Sequence, residues 1–331
     1  VWIMAYTDID KPSDYFETVL YTGNGGTQSI TSLDFAPALC WFKSRTTTDA
    51  HAWYDSVRGA TKRIKSNSAD AETTQSTALT SFNSDGFSIG AGGDVNTSSA
   101  SMAVWNWKET ADAGFDIVSY TGNGSARTLS HSLSAIPKMI IVKNLTSATS
   151  WHVYHNSIGA TKYLQLNSTN AEGTASSVWN DTAPTSSVFS IGSGDGTNKN
   201  TNNIIAYLFA EKQGFSKFSS YIGNGNADGT FIYTGFKPAF VIIKSTDLVK
   251  NWLTFDNLRL GYNGTGTNKQ LHPNTSGTET SGNGTTLDIL SNGFKTRTTD
   301  SDENGSGNTY IYMAFAENPF VSSTGVPATA R

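Results

Sequence analysis

The segment Gly86-Phe-Ser-Ile-Gly90 could carry out chemistry, because it has the G-x-S-x-G pattern of a nucleophile elbow. That motif needs a sharp turn from a strand into a helix, together with a distant acid and histidine. Here the segment lies between turn residues and a further apolar strand. The pattern therefore predicts a structural strand.

A possible calcium loop begins at Asp300. Asp300, Asp302 and Asn304 alternate along the chain and Gly305 follows, as in the first half of a calcium-binding loop. The twelfth position of such a loop should be a bidentate glutamate, but it is Ile311. The sequence therefore favours a polar hairpin loop, with Asp300, Asp302 and Asn304 as a weak calcium candidate and no other metal site.

Histidine and glutamate patterns favour structural roles over catalysis. His152 and His155 would point to opposite faces of a strand, and zinc needs three or four ligands. Single glutamates recur about 100 residues apart, at Glu109, Glu211 and Glu317. A glycosidase needs a pair of acids. We expect ion pairs or caps at these three positions, no catalytic residue and no cofactor.

Tryptophans are the remaining candidates for ligand binding. Exposed indoles stack on sugar rings, whereas most large aromatic side chains in short strands belong to the core. Trp151 and Trp252 stand where a polar loop meets a strand, so both readings stay open for them. The candidate glycan-stacking residues are Trp151, Trp252 and Trp53.

The elements that would position these residues occur three times. Tyr-Thr-Gly-Asn-Gly or Tyr-Ile-Gly-Asn-Gly begins at Tyr21, Tyr120 and Tyr221. A proline, an apolar run and a lysine then follow, and each copy ends in an aromatic strand and a glutamate. The copies are about 100 residues apart, which is the length of a small domain. We therefore predict three domains, with the boundaries 1–109, 110–211 and 212–331.

Each copy is predicted to consist of strands. Its apolar segments are four to eight residues long, rich in β-branched and aromatic residues, and bounded by Gly, Asn, Ser and Pro. The run at 139–142 is continuously apolar, as in strands buried on both faces. The run at 102–107 alternates, with Trp105 and Trp107 on one face. The predicted fold class is all-β, with three tandem antiparallel β-sandwiches.

Composition excludes several classes of protein. The net charge is −4 and charged residues make up 15% of the chain, whereas an ordinary domain has about 25%. No repeat has the clustered Lys and Arg that nucleic-acid binding needs. No apolar run is long enough to span a membrane. The aromatic content is too high for a disordered chain, and a single cysteine, Cys40, cannot form an intrachain disulfide.

The N-terminal segments resemble virion proteins of marine bacteriophages. The resemblance rests on residues 6–25, on the Trp-Tyr-Asp-Ser-Val-Arg-Gly stretch at 53–59, and on Asp-Gly-Phe-Ser-Ile-Gly at 85–90 with the Ala-Val-Trp-Asn-Trp-Lys strand at 103–108. In those proteins such repeats occur in tail fibres and appendages. The resemblance implies sandwiches of the jelly-roll, concanavalin-like lectin kind and a location in the virion. It carries over no catalytic residue.

These observations lead to one leading function and two alternatives. We expect a non-enzymatic virion structural protein that forms a homo-oligomer, with a trimer first, and that contacts other virion proteins and a host-surface glycan. Repeats in line would make a rigid rod. A carbohydrate-binding, lectin-like module is the alternative. The third hypothesis is a polysaccharide-degrading tailspike, which would need two acids about 5 to 10 Å apart in a groove. We expect neither nucleic-acid binding nor membrane insertion.

Overall fold

The protein has an all-β fold built from antiparallel sheets, as predicted. A computed structural model describes residues 6–259, 268–281 and 286–327. Helices in these ranges are single turns: a 3₁₀ turn (Pro12–Asp14), α1 (Gly93–Asn96), α2 (Ser176–Trp179) and α3 (Asp195–Asn198). Within the same ranges, no helix has the length and apolar character needed to cross a membrane.

Repeat 1 (residues 1–109) forms a six-stranded sheet in the order β1-β9-β3-β4-β5-β6 and a small sheet in the order β2-β8-β7. Its strands are β1 (Phe16–Thr22), β2 (Gln28–Ile30), β3 (Leu39–Ser44), β4 (Ala52–Asp55), β5 (Lys62–Lys65), β6 (Thr73–Thr74), β7 (Leu79–Asn83), β8 (Gly86–Ile89) and β9 (Ser101–Trp107). The strand predicted at the G-x-S-x-G segment is confirmed as β8.

Repeat 2 (residues 110–211) has the same plan, with the large sheet ordered β10-β17-β12-β13-β14-β15 and the small sheet β11-β16. Its strands are β10 (Phe115–Thr121), β11 (Arg127–Ser130), β12 (Pro137–Asn144), β13 (His152–His155), β14 (Lys162–Gln165), β15 (Gly173–Thr174), β16 (Val188–Ile191) and β17 (Asn203–Ala210). Helix α2 lies between β15 and β16, where repeat 1 has β7.

Repeat 3 (residues 212–331) has a four-stranded sheet β18-β24-β20-β21 and a small sheet β19-β23-β22. Its strands are β18 (Ser216–Ile222), β19 (Phe231–Tyr233), β20 (Phe236–Ser245), β21 (Leu253–Asp256), β22 (Leu287–Leu290), β23 (Gly293–Thr296) and β24 (Thr309–Pro319). Each strand pairing in the described ranges lies within one predicted repeat. Independent folding of the three repeats stays a prediction.

Strands at the middle of the large sheets are buried on both faces. In β12, Met139 and Ile141 face a core that is shared by all three repeats. Ile140 and Val142, on the other face, belong to the core between the two sheets of repeat 2. The continuous apolar run in the sequence predicted this two-sided burial correctly.

The shared core is rich in aromatic rings from different repeats. The Phe240 ring of repeat 3 lies 5.6 Å from Phe16 and 5.7 Å from both Trp105 and Trp107, which belong to repeat 1. Phe209 of repeat 2 lies 6.4 Å from Trp107. The three large sheets therefore pack around a common centre. The prediction that the three repeats lie in line as a rod is wrong. An apolar second face on each large sheet can leave water only by covering another repeat.

Backbone hydrogen bonds close the three repeats into a cycle. At each junction an amide near the edge of one large sheet donates to a carbonyl of the next repeat. These bonds join Glu72 N to Leu145 O (2.9 Å), Glu172 N to Thr246 O (2.9 Å) and Glu279 N to Arg45 O (2.8 Å). Because the third bond returns from repeat 3 to repeat 1, the repeats form a ring with an approximate threefold arrangement.

Buried side chains reinforce two junctions of the ring. The Trp105 indole N–H of repeat 1 donates to the Asp256 carboxylate of repeat 3 over 3.0 Å. The Tyr207 hydroxyl of repeat 2 donates to the Asp55 carboxylate of repeat 1 over 2.7 Å. All four residues are inaccessible to solvent. Each bond therefore satisfies a group that would otherwise be buried without a partner.

Replacement of Trp105 by Phe should destabilise the protein more than the same replacement of Trp179. Both indoles are buried, but Trp179 Nε1 has no hydrogen-bond partner in the described structure. Trp105→Phe removes a bond to a buried carboxylate, which costs about 1 to 3 kcal/mol beyond the loss of ring area. Urea denaturation of both variants measures the difference. Equal destabilisation would show that the Trp105–Asp256 bond does not hold the ring.

Candidate functional site

The three tryptophans proposed to bind glycans lie inside the ring. Trp53, Trp151 and Trp252 are each buried, with at most 1% of their surface exposed. The rings of Trp53 and Trp151, from different repeats, are 5.2 Å apart. Trp151 Nε1 donates to Lys65 O of repeat 1 at 3.0 Å, and Trp252 Nε1 donates to Gln165 O of repeat 2 at 2.9 Å. A sugar ring could reach these indoles only if the repeats separated.

The lysine that ends each proline-to-lysine strand is also a junction residue. Lys43, Lys143 and Lys244 are buried, and burial lowers the pKa of each ammonium to about 8. Each ammonium donates to carbonyls of its own following loop and to one carbonyl of a neighbouring repeat. The inter-repeat bonds join Lys43 to Ser276 O (3.2 Å), Lys143 to Ala69 O (3.0 Å) and Lys244 to Thr169 O (3.2 Å). The repeated lysines therefore have a structural role.

A buried asparagine explains the repeated Gly-Asn-Gly turn. Asn96 Oδ1 accepts from Asn24 N at 2.8 Å, and Asn96 Nδ2 donates to Gly26 O at 2.7 Å and to Gly90 O at 2.8 Å. Asn198 makes the corresponding bonds in repeat 2 and Asn304 in repeat 3. We call these residues the asparagine clamps. Sequence analysis missed them, although an asparagine recurs at this point of each repeat.

Asn304 is both the asparagine clamp of repeat 3 and one of the three residues of the possible calcium loop. Asn304 Nδ2 donates to Asn226 O at 2.8 Å and to Thr298 O at 2.7 Å, so its amide holds the turn. Asp302 pairs with Lys250 at 2.7 Å, and Asp300 Oδ1 accepts from Asp302 N at 2.9 Å. Across the described ranges, no cluster of three or more His, Cys, Asp or Glu side chains is arranged to hold a metal ion.

The serine and histidine candidates also lie in structural positions. Ser88 Oγ contacts Ser29 Oγ and Asn83 Nδ2, each at 3.0 Å. His155 is buried, and its Nε2 lies 3.2 Å from Tyr312 O of repeat 3. Burial lowers the pKa of His155 to about 4, so this ring is neutral at pH 7.

Two of the three recurrent glutamates form the expected ion pairs. Glu211 contacts Lys217 at 2.7 Å, and Glu317 contacts Lys237 at 2.8 Å. Glu109 differs, because the residue that corresponds to Lys217 in the strand pairing is Asp116. The pKa of Glu109 is raised to about 7, mainly by burial and also by the neighbouring Asp116 carboxyl. The Ile117 backbone N–H, which donates to Glu109 Oε1 at 3.1 Å, opposes this rise.

A group of exposed apolar side chains in repeat 3 offers a surface for binding. Ile222, Phe231 and Tyr233 are 62%, 45% and 52% exposed. Phe231 and Tyr233 share the outer face of β19, while Ile232 between them is buried. The Thr230 hydroxyl donates to Ile222 O at 2.8 Å, which places the end of β18 beside β19. We call Ile222, Phe231 and Tyr233 the outer patch.

The other two repeats carry hydroxyl residues at these positions. The pairing of β2, β11 and β19 with the strands β8, β16 and β23 aligns the three repeats. The counterparts of the outer patch are Thr22, Ser29 and Thr31 in repeat 1 and Thr121, Thr128 and Ser130 in repeat 2. The fold therefore does not require apolar side chains there. Position-by-position comparison of the repeats could have found the patch from the sequence.

Polar groups border the outer patch. Lys295 pairs with Phe231 across the strands and contacts the exposed Asp228 at 2.6 Å. The Tyr6 hydroxyl lies 2.7 Å from the Tyr233 hydroxyl and donates to Gly235 O at 3.1 Å. Aromatic faces beside a carboxylate and an ammonium can contact both apolar and hydrogen-bonding groups of a ligand.

Glu109→Gln should stabilise the protein at pH 8 and have little effect at pH 4. The folded pKa of Glu109 lies near 7, above its usual value near 4.5, so its stabilising contribution is present below pH 4.5 and is lost as pH rises through 7. A neutral amide avoids that loss, by about 1 kcal/mol at this partly exposed site. Thermal unfolding across this pH range measures the difference from the parent protein. Glu211→Gln, which breaks an ion pair, is the control and should lower stability at pH 8.

Comparison with known proteins adds one relationship. A search of curated proteins found no match. A family model described as "Domain of unknown function (DUF7483)" matches residues 11–319 in a single span. That span covers the strands of all three repeats, so the family unit is the whole ring. The chain belongs to the DUF7483 family of domains of unknown function.

Proposed function

We propose that this chain is a non-enzymatic structural protein of a phage virion, a tail fibre, appendage or capsid-surface decoration, that acts through self-association and contact with the host surface. The observation that carries the proposal is the outer patch on a ring whose other large aromatic side chains are mostly buried. The sequence resemblance to virion proteins supports the setting.

Self-association has to use the outside of the ring. The surfaces through which single repeats would trimerise are already buried within one chain, at the junctions between repeats. The outer patch is apolar, and two of its residues, Phe231 and Tyr233, lie on β19, which among the described strands pairs only with β23 in the small sheet and is therefore an edge strand. An edge strand presents unpaired backbone N–H and C=O groups that can pair with another chain. We propose that further copies, with a trimer as the first expected assembly, or other virion proteins bind there.

A carbohydrate-binding, lectin-like role is the second candidate, and the outer patch is again the observation that favours it. Phe231 and Tyr233 present exposed aromatic side chains, and Lys295 and Asp228 lie beside them. Aromatic faces that stack on a sugar ring, with polar groups that bind its hydroxyls, suit a host glycan. This role moves the glycan site from the buried tryptophans to the surface.

A polysaccharide-degrading tailspike receives less support. The carboxyls of Glu109 and Asp116 interact directly in a partly buried position. A glycosidase places its two acids about 5 to 10 Å apart, on either side of the scissile bond. Two carboxyls in direct contact do not provide that arrangement.

The outer patch can be tested by giving repeat 3 the residues of repeat 1. Phe231→Ser combined with Tyr233→Thr should convert an oligomer of the full chain into a monomer, because the apolar contact area is lost. Light scattering with mass determination on both proteins measures this change. The matched control is Ser29→Ala with Thr31→Ala at the equivalent positions of repeat 1, which should leave the assembly unchanged.

The outcomes separate the two roles of the patch. An oligomer that the double variant disrupts supports self-association. A parent protein that is already monomeric contradicts self-association, and binding to a glycan array that the same double variant abolishes would then support the lectin-like role. A monomer without glycan binding would count against both uses of the patch.

A further inference from the structure

Repeat 3 contains a polar cavity that the proposed function does not use. Its volume is about 190 Å³. Most of its lining groups are oxygen-bearing, and they come from the segments that flank β21, β22 and β23. The principal lining residues are Gln270, His272, Thr298, Asp300, Asp302 and Glu303. We call this space the repeat-3 cavity.

Glu303 is the unusual member of this group. It is 1% exposed, and its Oε2 has no hydrogen-bond partner in the described part of the chain. The Thr286 hydroxyl, which also lines the cavity, lies beside this carboxyl, but neither atom has a partner at hydrogen-bond geometry. A carboxyl oxygen that is buried and unpaired costs free energy, so native structures rarely keep one without a ligand.

The other two repeats show that the fold does not need an acid at this position. The Tyr120 hydroxyl of repeat 2 donates to Thr197 O, and the Tyr221 hydroxyl of repeat 3 donates to Glu303 O, each over 2.7 Å. Tyr21 makes the same bond to Val95 O in repeat 1. Valine, threonine and glutamate therefore occupy equivalent positions, and each is buried.

The cavity exists because repeat 3 is more open at the neighbouring position. A Cβ at Gly92 of repeat 1 would lie 2.6 Å from the Ala78 backbone, and one at Gly194 of repeat 2 would lie 2.8 Å from Ser177 O. Repeat 3 has Asp300 at this point of the loop, where Asn304 N donates to Asp300 O as Asn96 N does to Gly92 O. A side chain fits here only because the facing segments lie further apart.

The charge balance of the cavity favours a cation. Asp302 is neutralised by Lys250 at 2.7 Å, whereas Asp300 has no ion pair within the described ranges. Burial lowers the pKa of His272, which favours the uncharged form of that ring, while the charge of Asp302 opposes this shift. Burial also raises the pKa of Glu303 strongly, and the charges of Asp300 and Asp302 add to this rise, against the Thr286 hydroxyl. A cation would compensate the charge of Asp300 and favour the ionised form of Glu303.

We propose that the repeat-3 cavity binds a hard divalent cation of the calcium class, with the Glu303 carboxylate as its buried ligand. Asp300 and the neutral oxygens of Thr298 and Gln270 are the further donors, since calcium takes six to eight oxygen ligands, including water. This set differs from the loop pattern in the sequence, because it includes Glu303 and leaves out Asp302, which pairs with Lys250, and Asn304, which holds the turn. It combines two carboxylates with neutral oxygens, so no cluster of three acidic side chains is needed.

Calorimetry and thermal unfolding of the full chain with calcium chloride test the proposal. We expect saturable binding below about 10 mM and a rise in Tm. Magnesium chloride at the same ionic strength should give a weaker response, because Mg²⁺ gives up its water shell reluctantly.

Three variants identify the ligand. Glu303→Val installs the residue of repeat 1, and it should abolish calcium binding and raise Tm in a chelator. Glu303→Gln keeps the shape of the side chain and should weaken binding at least tenfold, which preserves the test if the valine variant does not fold. Asp195→Asn, in the equivalent loop of repeat 2, should bind like the parent protein. Absence of saturable binding in the parent, or unchanged binding in both Glu303 variants, would overturn the proposal.

Discussion

Each large sheet of this protein is apolar on both faces, and only one of those faces is covered within its own repeat. In β3, Cys40 and Phe42 pack against the small sheet of repeat 1, while Trp41 between them faces the other way. Burial of a large apolar side chain contributes about 1.5 to 3 kcal/mol, so the second face must also leave water. With three equivalent sheets on one chain, each second face covers the others, and the ring follows from that requirement.

Once the second faces meet, their polar groups need partners in a dry environment. The Lys43 ammonium, the Trp105 indole and the Tyr207 hydroxyl each find an acceptor in a neighbouring repeat. A rod of repeats in line would leave the groups at its ends unpaired, whereas a cycle supplies an acceptor at every junction. Closed symmetry in oligomers satisfies interfaces in the same way. Here all three repeats of the ring belong to one covalent chain.

The sequence predicted strands and two-sided burial well, because these depend on local patterns. The run at 139–142 and the alternation that places Trp105 opposite Val104 both identify faces correctly. A sequence pattern indicates that one face of a strand is buried, but it does not indicate which part of the protein covers that face. Trp151 and Trp252 therefore looked equally suited to a surface, although neighbouring repeats enclose them. The proposed Glu303 site was also hidden, since the residues that line its cavity are brought together only in the folded structure, around β22 and β23.

Comparison of the three repeats separates what the ring needs from what repeat 3 adds. The asparagine clamps and the buried lysines are the same in all three copies, as expected for parts that hold the fold. Repeat 3 instead exposes Phe231 and Tyr233 at positions where repeats 1 and 2 have hydroxyl residues. It also buries Glu303 at the position where repeat 1 has Val95. Both changes work against the stability of an isolated chain, since one exposes apolar surface to water and the other buries an acid. Their combination in one repeat is the reason that we place both proposed binding surfaces in repeat 3 and regard repeats 1 and 2 mainly as scaffold.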